Sequence, residues 1–499
     1  MRRTLATLLL LAAPFCASAE STLRIALQED ADALDPTLAR TYVGRIVFAG
    51  LCDKLFDINE KLEIVPQLAT SYEWTNPTTL VIHLRDGVKF QDNTVMDAAA
   101  VKYSLERHLN MPGSFRKSEI NLMDHVEAVD PLTVRITLKS PFAPFVAQLT
   151  DRSGMIVSPK AADAAGAEFG RHPVCAGPFS FVERVPQDRI VLQRFPGYWN
   201  ADAIKVDRVV YTPIPDSSVR LANLQAGSTD INQLVAPTDA DTVRKNPKLR
   251  LFVSDWLGYQ TIEFNTANGP RADTPVGRDP RVRRAFELSL DRDALTQVVY
   301  AGIYTPTNQT TPKTSPFYMP QFQPPGRDVA AARALLKEAG LTRVPITLTV
   351  PNSPDLRQAG EVIQSMAAEA GFDVTISLQE FASALTAANR GDFQALMLAW
   401  SGRPDIDGNT WSFLHTGGAL NDSHWSDKDV DAALDDARGH ADPAVRMADY
   451  ARAWQRVLAQ VPFLYLWSQK AIVGTSDKVQ GFRPVPDGII RLQGISLAQ

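Results

Sequence analysis

The chain has 499 residues, 45% hydrophobic and 21% charged, with 51 basic against 56 acidic side chains and a net charge of −5. These proportions are globular and exclude a disordered or coiled-coil chain, while the length exceeds what one core needs and predicts at least two lobes. The densest basic run, Arg281-Val-Arg283-Arg284, lies inside an amphipathic helical pattern and reads as a solvated helix face, so the acidic chain is a poor candidate for nucleic acid or anionic membrane binding.

The amino terminus reads as an export signal over residues 1–19. Arg2 and Arg3 form its positive region, Leu5 to Phe15 its apolar stretch, and Ala17-Ser18-Ala19 a small-x-small cleavage pattern with Glu20 next. The apolar run falls short of the roughly 20 residues that span a bilayer. Phe15 before Cys16 does not suit lipid attachment, and the surroundings of Arg2-Arg3 do not suit twin-arginine export. The expectation is a soluble periplasmic protein. Cleavage removes Cys16 and leaves Cys52 and Cys175, which in an oxidising compartment make one disulfide or two buried thiols. Neither has the spacing of a metal or redox site.

In chain order, Leu23–Leu27 reads as a strand followed by the turn residues Asp30, Asp32 and Asp35-Pro36. Leu80–Leu84 and Val134–Leu138 are β-type runs, and between them Asp97 to Leu109 has helical spacing with Asp97 as N-cap. Asp216 to Ala226 is a helix stopped by Gly227. One longer helix is expected from Pro280 to Ala301, with Asp279 as N-cap and Gly302 as the stop. Residues 268–278 and 305–326, rich in Pro and Gly, read as loops.

Three helix–strand units then follow: Asp328–Ala339 with Ile346–Val350, Asp355–Ala370 with Phe372–Leu378, and Phe381–Asn389 with Phe393–Trp400. Such a succession favours parallel pairing under a helical layer, and ligands of such sheets collect where strand ends meet loops. The loop after the third strand, Ser401 to Gly408, carries Arg403, Asp405 and Asp407. Helices at Asp427–Arg438 and Pro443–Ala459 and a strand at Phe463–Trp467 complete the α/β pattern.

Catalytic signatures are scarce. There is no nucleophile elbow, P-loop, zinc-protease motif or dinucleotide fingerprint. Ser114-Phe-Arg-Lys117 matches the Ser-x-x-Lys of penicillin-recognising enzymes but lacks the companion Lys-Thr-Gly, and His415 with His424 is weak evidence for a metal. Carboxylates and tryptophans cluster in Trp400, Asp405, Asp407, Trp411, Asp422, Trp425 and Asp427. A glycosidase needs two carboxylates across a cleft, so a secreted hydrolase using Asp405 and Asp407 is the alternative to a cleft that binds without transforming.

Four stretches carry a resemblance. Ile64-Val-Pro-Gln-Leu-Ala69 with Ser71-Tyr-Glu-Trp74 and Leu84-Arg-Asp-Gly-Val-Lys-Phe90 is the first, and Pro173-Val-Cys-Ala-Gly-Pro-Phe179 with Arg189–Leu192 and Pro196-Gly-Tyr-Trp199 the second. Asn265-Thr266 with Arg281–Ala285 and Asp291-Arg292 is the third, and Ala331–Gly340 the fourth. In this order they resemble extracytoplasmic solute-binding proteins of the dipeptide/oligopeptide/nickel class, family 5 of ABC importers. Gln91-Asp-Asn93 and Cys175 are small departures.

The resemblance implies a two-lobed α/β periplasmic-binding-protein fold, type II-like, with an extra subdomain in the first lobe and a hinge of two crossing segments near 255–265 and 465–475. Lobe I is then 20–258 plus 471–499 and lobe II 259–470. It implies a monomer without cofactor, metal or catalytic residues that delivers a solute to the permease subunits of an importer. With both cysteines assigned to lobe I, a Cys52–Cys175 disulfide is expected. Peptide-binding members have a Trp-x-x-Asp whose aspartate pairs with the ligand's α-ammonium. The matching stretch here is Trp400-Ser-Gly-Arg403, with arginine in place of that aspartate. Arg403 is therefore expected to hold an anionic group and Asp405 an ammonium, with Asp407 in reserve. Arg357 matches the arginine that holds a dipeptide's carboxylate, and Trp400, Tyr42 and Tyr259 are expected to wall the cleft. A small zwitterionic or acidic ligand such as a dipeptide, a glutathione-like peptide or an amino-acid conjugate fits these charges.

Overall fold

Two long strands, Leu249–Phe264 and Phe463–Ser476, run antiparallel through the middle of the molecule and belong to one large sheet. In this computed structural model, which describes residues 20–498, they pair from Leu249↔Ser476 to Glu263↔Phe463. The leader expected at 1–19 lies outside the described residues. The register slips between Asp255 and Tyr259, where Trp256, Leu257 and Gly258 have no ladder partner. A bulge of this kind bends and twists a strand pair, so the two ends of the ladder face different parts of the sheet.

On one side the sheet continues through Ile231–Asn232, Thr22–Leu27, Arg208–Pro213, Arg189–Arg194 and Phe179–Val185. On the other it continues through Ala395–Trp400, Val344–Pro351 and Phe372–Gln379, the last three parallel to one another as the helix–strand units predict. Separate apolar cores serve the two sides, one around Ile25, Phe48, Phe179 and Tyr211, the other around Phe286, Leu348, Ile363 and Phe372. The predicted caps recur: Asp216 accepts from Ser218 and Val219, and Gly371, at φ +105°, ends the helix Pro354–Ala370 in a conformation that favours glycine.

A second, four-stranded antiparallel sheet is inserted after the first helix, in the order 69–76, 79–84, 133–138, 123–130. Helix Ala98–Asn110 packs Val101 and Leu105 against Leu80, Ile82, Val134 and Ile136 to give this unit its own core. The Cys52–Cys175 disulfide is present, with Cα atoms 4.9 Å apart and a sequence separation of 123. The loop it closes contains the entire inserted sheet.

Three expectations change. The helix expected from Pro280 to Ala301 is two helices, Pro280–Leu288 and Arg292–Tyr300. Ser289 turns its hydroxyl back onto the Phe286 carbonyl at 2.6 Å, and Asp291 caps the second helix by accepting from the Ala294 amide at 2.9 Å. The stretch read as loop to Gly408 turns helical at Asp407 and stays so to Leu414. The strand expected to end at Trp467 continues to Ser476, because its second half pairs with Leu249–Asp255, a segment whose alternation is too broken to read as strand.

Candidate functional site

The parallel strands end on one cavity. Gln28, Glu29 and Asp30 follow strand Thr22–Leu27. From the other side, Asn352 to Leu356 follow Val344–Pro351, Glu380 follows Phe372–Gln379, and Ser401 follows Ala395–Trp400. All of them line a cavity of about 240 Å³, with Gln260 and Gln469 from the two crossing strands also in its wall. This is the strand-end placement expected of an open α/β sheet.

Local hydrogen bonds fix the first wall. The Asp32 carboxylate accepts from the Arg40 amide at 2.7 Å and from the Thr41 hydroxyl at 2.7 Å, and Thr41 caps the helix Tyr42–Leu51. Tyr42 therefore enters the cavity from a fixed helix start. Its hydroxyl donates to the Gly488 carbonyl, and its ring lies 5.0 Å from that of Trp256. Arg40 and Asp30 also line the cavity, but their charges are matched, Arg40 by Asp422 and Asp30 by Arg184 at 3.1 Å.

Trp400 ends its strand opposite Tyr259 and lines the cavity. Asn409 holds it: Trp400 Nε1 donates to Asn409 Oδ1 at 3.0 Å, and the same oxygen accepts from the Arg403 amide at 2.6 Å. The Arg403 guanidinium carbon lies 4.3 Å over the Trp400 ring and Phe413 meets its edge. Between them Gly402, at φ +76°, passes so close to the Leu257 backbone that a Cβ would collide with it.

The charged loop does not serve the cavity as expected. Arg403 is 5% exposed and its Nε lies 3.1 Å from Asp151 Oδ2. Burial pushes the Asp151 carboxyl up, but the guanidiniums of Arg403, Arg45 and Arg152 outweigh burial and hold it well below the usual carboxylate range. Asp405 accepts both terminal nitrogens of Arg446, at 2.8 and 2.7 Å, and Asp407 accepts Nε and Nη2 of Arg438, at 2.7 and 2.9 Å. All three predicted ligand charges are thus paired within the protein, and none lines the cavity. The hydrolase alternative gains no support here, since its two carboxylates are each paired with an arginine.

Tyr259 is 4% exposed in an apolar cluster with Phe413 and Tyr465, and its hydroxyl donates to the Asn409 carbonyl at 3.1 Å. Arg357 is exposed on the first turn of helix Pro354–Ala370, with Nη2 3.3 Å from Asn352 Oδ1; its neighbours Asp355 and Leu356 face the cavity instead. Of the seven predicted binding residues, then, Tyr42 and Trp400 meet in the cavity.

Sequence reasoning passed over the charges that do line it without an ion-pair partner: Glu29, Asp355, Glu380 and Arg220. Glu29 and Asp355 were available from the strand-end rule, since each closely follows a predicted strand. Arg220 is 3% exposed and donates to the carbonyls of Ile214, Pro215 and Leu234. Among the described residues, no three or more His, Cys, Asp or Glu side chains are grouped to hold a metal, and no helix is long and apolar enough to cross a membrane.

Comparisons with known proteins show the family and the fold. The chain is 29% identical over 508 residues to the glutathione-binding protein GsiB of Pectobacterium atrosepticum, covering 99% of this chain and 97% of that one. Among solved structures, it superposes on the binding protein AgaA of A. tumefaciens R10 in complex with agropinic acid with a TM-score of 0.87 and 26% identity, covering 96% and 98% of the two chains. It superposes equally well, at 0.87 and 25% identity with the same coverage, on DppA of Helicobacter pylori in complex with the peptide STSA. The model of bacterial extracellular solute-binding proteins, family 5, matches residues 63–421, and the chain belongs to that family.

Proposed function

We propose that the protein is the periplasmic binding component of an ABC importer, which captures a small peptide-like solute in the cavity and delivers it unchanged to the permease subunits. The observation that carries the reading is the cavity itself, closed between the strand ends of both halves of one sheet and crossed by Gln260 and Gln469 from the strands that join those halves. Residues 20–258 with 471–499 then form one lobe and 259–470 the other, and the bulge at Trp256–Gly258 lies where they join. A ligand touching both lobes stabilises the closed form that a permease recognises, and its differential affinity for that form is the driving force.

Unpaired charges of both signs suit a solute with an ammonium and a carboxylate, and the size of the cavity suits a dipeptide or an amino-acid conjugate better than an extended oligopeptide. Relatives named for glutathione, agropinic acid and a peptide support this class. Tyr42 and Trp400 serve as aromatic walls. Residues 1–19 act as the cleaved export leader.

Native mass spectrometry of protein taken from its own host tests the reading. A co-purified solute of this class, which rebinds saturably, raises the melting temperature and returns unchanged after long incubation, is the expected result. Turnover of a bound peptide, or stabilisation by no solute at all, would overturn it.

A further inference from the structure

The charges facing the cavity do not balance inside the protein. Glu29 comes from one side, and Asp355 and Glu380 come from the facing side. Among the described residues no Arg, Lys or His nitrogen lies within 4.0 Å of these three carboxylates. Glu380 has one local partner, the Ser383 amide at 2.9 Å. Among the described residues the one cation lining the cavity without an ion-pair partner is Arg220, whose guanidinium is already bound to backbone carbonyls; Arg40 is held by Asp422. The charged groups facing Glu29 are Asp32 on its own loop, Glu380 across the gap and Arg220; burial first, then Asp32, push its carboxyl up to about 8, and Gln28 and Arg220 only partly offset this.

An independent feature marks the same space as a binding site. Gln260 is 1% exposed, yet neither its amide nitrogen nor its amide oxygen has a partner, and Gln469 Oε1 also lacks a donor. Both side chains line the cavity. Buried amides are normally satisfied, so a donor and acceptors stand ready on the two strands that join the halves.

We propose that Glu29, Asp355 and Glu380 form a subsite that grips a cationic group of the solute from both sides, while Gln260 and Gln469 bind an adjacent amide or hydroxyl. The proposal rests on the solute-binding reading above and narrows its ligand class. The preferred solute carries an ammonium or guanidinium beyond the charge its carboxylates cancel, as in a dipeptide with a basic residue. A surplus carboxylate is disfavoured, because it adds a like charge to an already unbalanced wall. Glutathione, with two carboxylates and one ammonium, belongs to the disfavoured group even though relatives are named for it.

Calorimetry on the mature protein, stripped of ligand by unfolding and refolding, decides this with Ala-Lys, Ala-Ala, Ala-Glu and glutathione as probes. Ala-Lys should bind at least tenfold more tightly than Ala-Glu, with Ala-Ala between them and glutathione among the weak ligands. Between pH 6.5 and 8, Ala-Lys should release protons, seen as a heat that depends on the buffer's ionisation enthalpy. Glu29→Gln should abolish that release and narrow the Ala-Lys/Ala-Glu ratio; the exposed Glu380→Gln should narrow the ratio as well, and serves if the first variant does not fold. Ala-Glu or glutathione binding as tightly as Ala-Lys would overturn the subsite and leave the importer reading standing. No binding of any probe would overturn the subsite as well, while stabilisation by no co-purified solute is what would overturn the importer reading.

Discussion

Arg403 and Asp151 are joined across the middle of the molecule, Nε to Oδ2 at 3.1 Å, and Asp151 also holds Arg45 Nη2 at 2.7 Å. Asp151 lies just beyond the inserted four-stranded sheet, whereas Arg403 follows the strand that ends at Trp400. The substituted arginine of the Trp-x-x-Arg stretch therefore ties one proposed lobe to the other. Gln148 donating to Asp407 at 3.0 Å and Arg45 donating to Ser401 at 3.0 Å run between the same two regions.

From this pair follows a uniform effect on binding. Removing one member of a desolvated charge pair costs about 2–5 kcal/mol, and the low end applies because Arg45 still accompanies Asp151. Arg403→Ala should destabilise the closed form and weaken every solute by the same factor, about 30-fold for 2 kcal/mol. Scattering should show a larger fraction of open molecules at equal solute concentration. A loss confined to anionic solutes would instead place Arg403 against the ligand.

The disulfide should act on the first lobe alone. It encloses the inserted sheet in a loop of 123 residues, and the chain-entropy model assigns such a closure about 4–5 kcal/mol. Replacing both Cys52 and Cys175 by Ala should lower the unfolding free energy measured in urea by an amount of that order, with a corresponding fall in the midpoint. The order of solute affinities should not change. Labelling of the unfolded, unreduced mature protein should find no free thiol; two labelled thiols would refute the bond.

Asn409 carries more of the site than its short side chain suggests. Its oxygen serves both Trp400 and the Arg403 amide, and its nitrogen donates to the Arg403 carbonyl at 3.0 Å. Asn409→Ala leaves buried donors unmet at a cost of about 1–3 kcal/mol. It should lower the melting temperature and blunt the change in tryptophan fluorescence on solute addition, since Trp400 is no longer held. Asn409→Asp keeps the accepting oxygen and should restore part of both.

What could be read from the sequence divides along physical lines. Caps and stops are local, so Asp97, Asp216, Gly227 and Gly371 marked their helices correctly. Three helix–strand units in a row were enough for the parallel strands and for a site at their ends. Charge pairing is not local. Arg438 and Arg446 lie 31 and 41 residues from the aspartates they hold, and nothing in the loop 401–408 announces them. From the loop alone the aspartates look free, because their partners lie far along the chain. Gln260 left no signal of its own, because Thr261 and Glu263 are equally polar in the stretch Leu257 to Phe264 and all three are buried.

The pH dependence of stability should carry the mark of Glu29. Its carboxyl is raised from the ordinary 4.5 to about 8, by burial first and then by Asp32. The native state thus keeps a proton that the unfolded chain gives up above pH 4.5. The stability this contributes is complete below that value and is lost as pH rises through about 8. Asp53, raised by burial to about 7 despite hydrogen bonds from Trp199 and Tyr198, acts in the same direction. Without solute, the wild type should therefore lose stability between pH 5 and 8.5. Glu29→Gln should lose less, because one of the raised carboxyls no longer titrates, so the two curves should converge near pH 5 and separate above pH 7 with the variant on top. Ala-Lys should close that gap at pH 8.5 by stabilising the wild type more than the variant. Urea denaturation across this range measures both effects, and parallel curves for the two proteins would mean that Glu29 is already ionised at neutral pH.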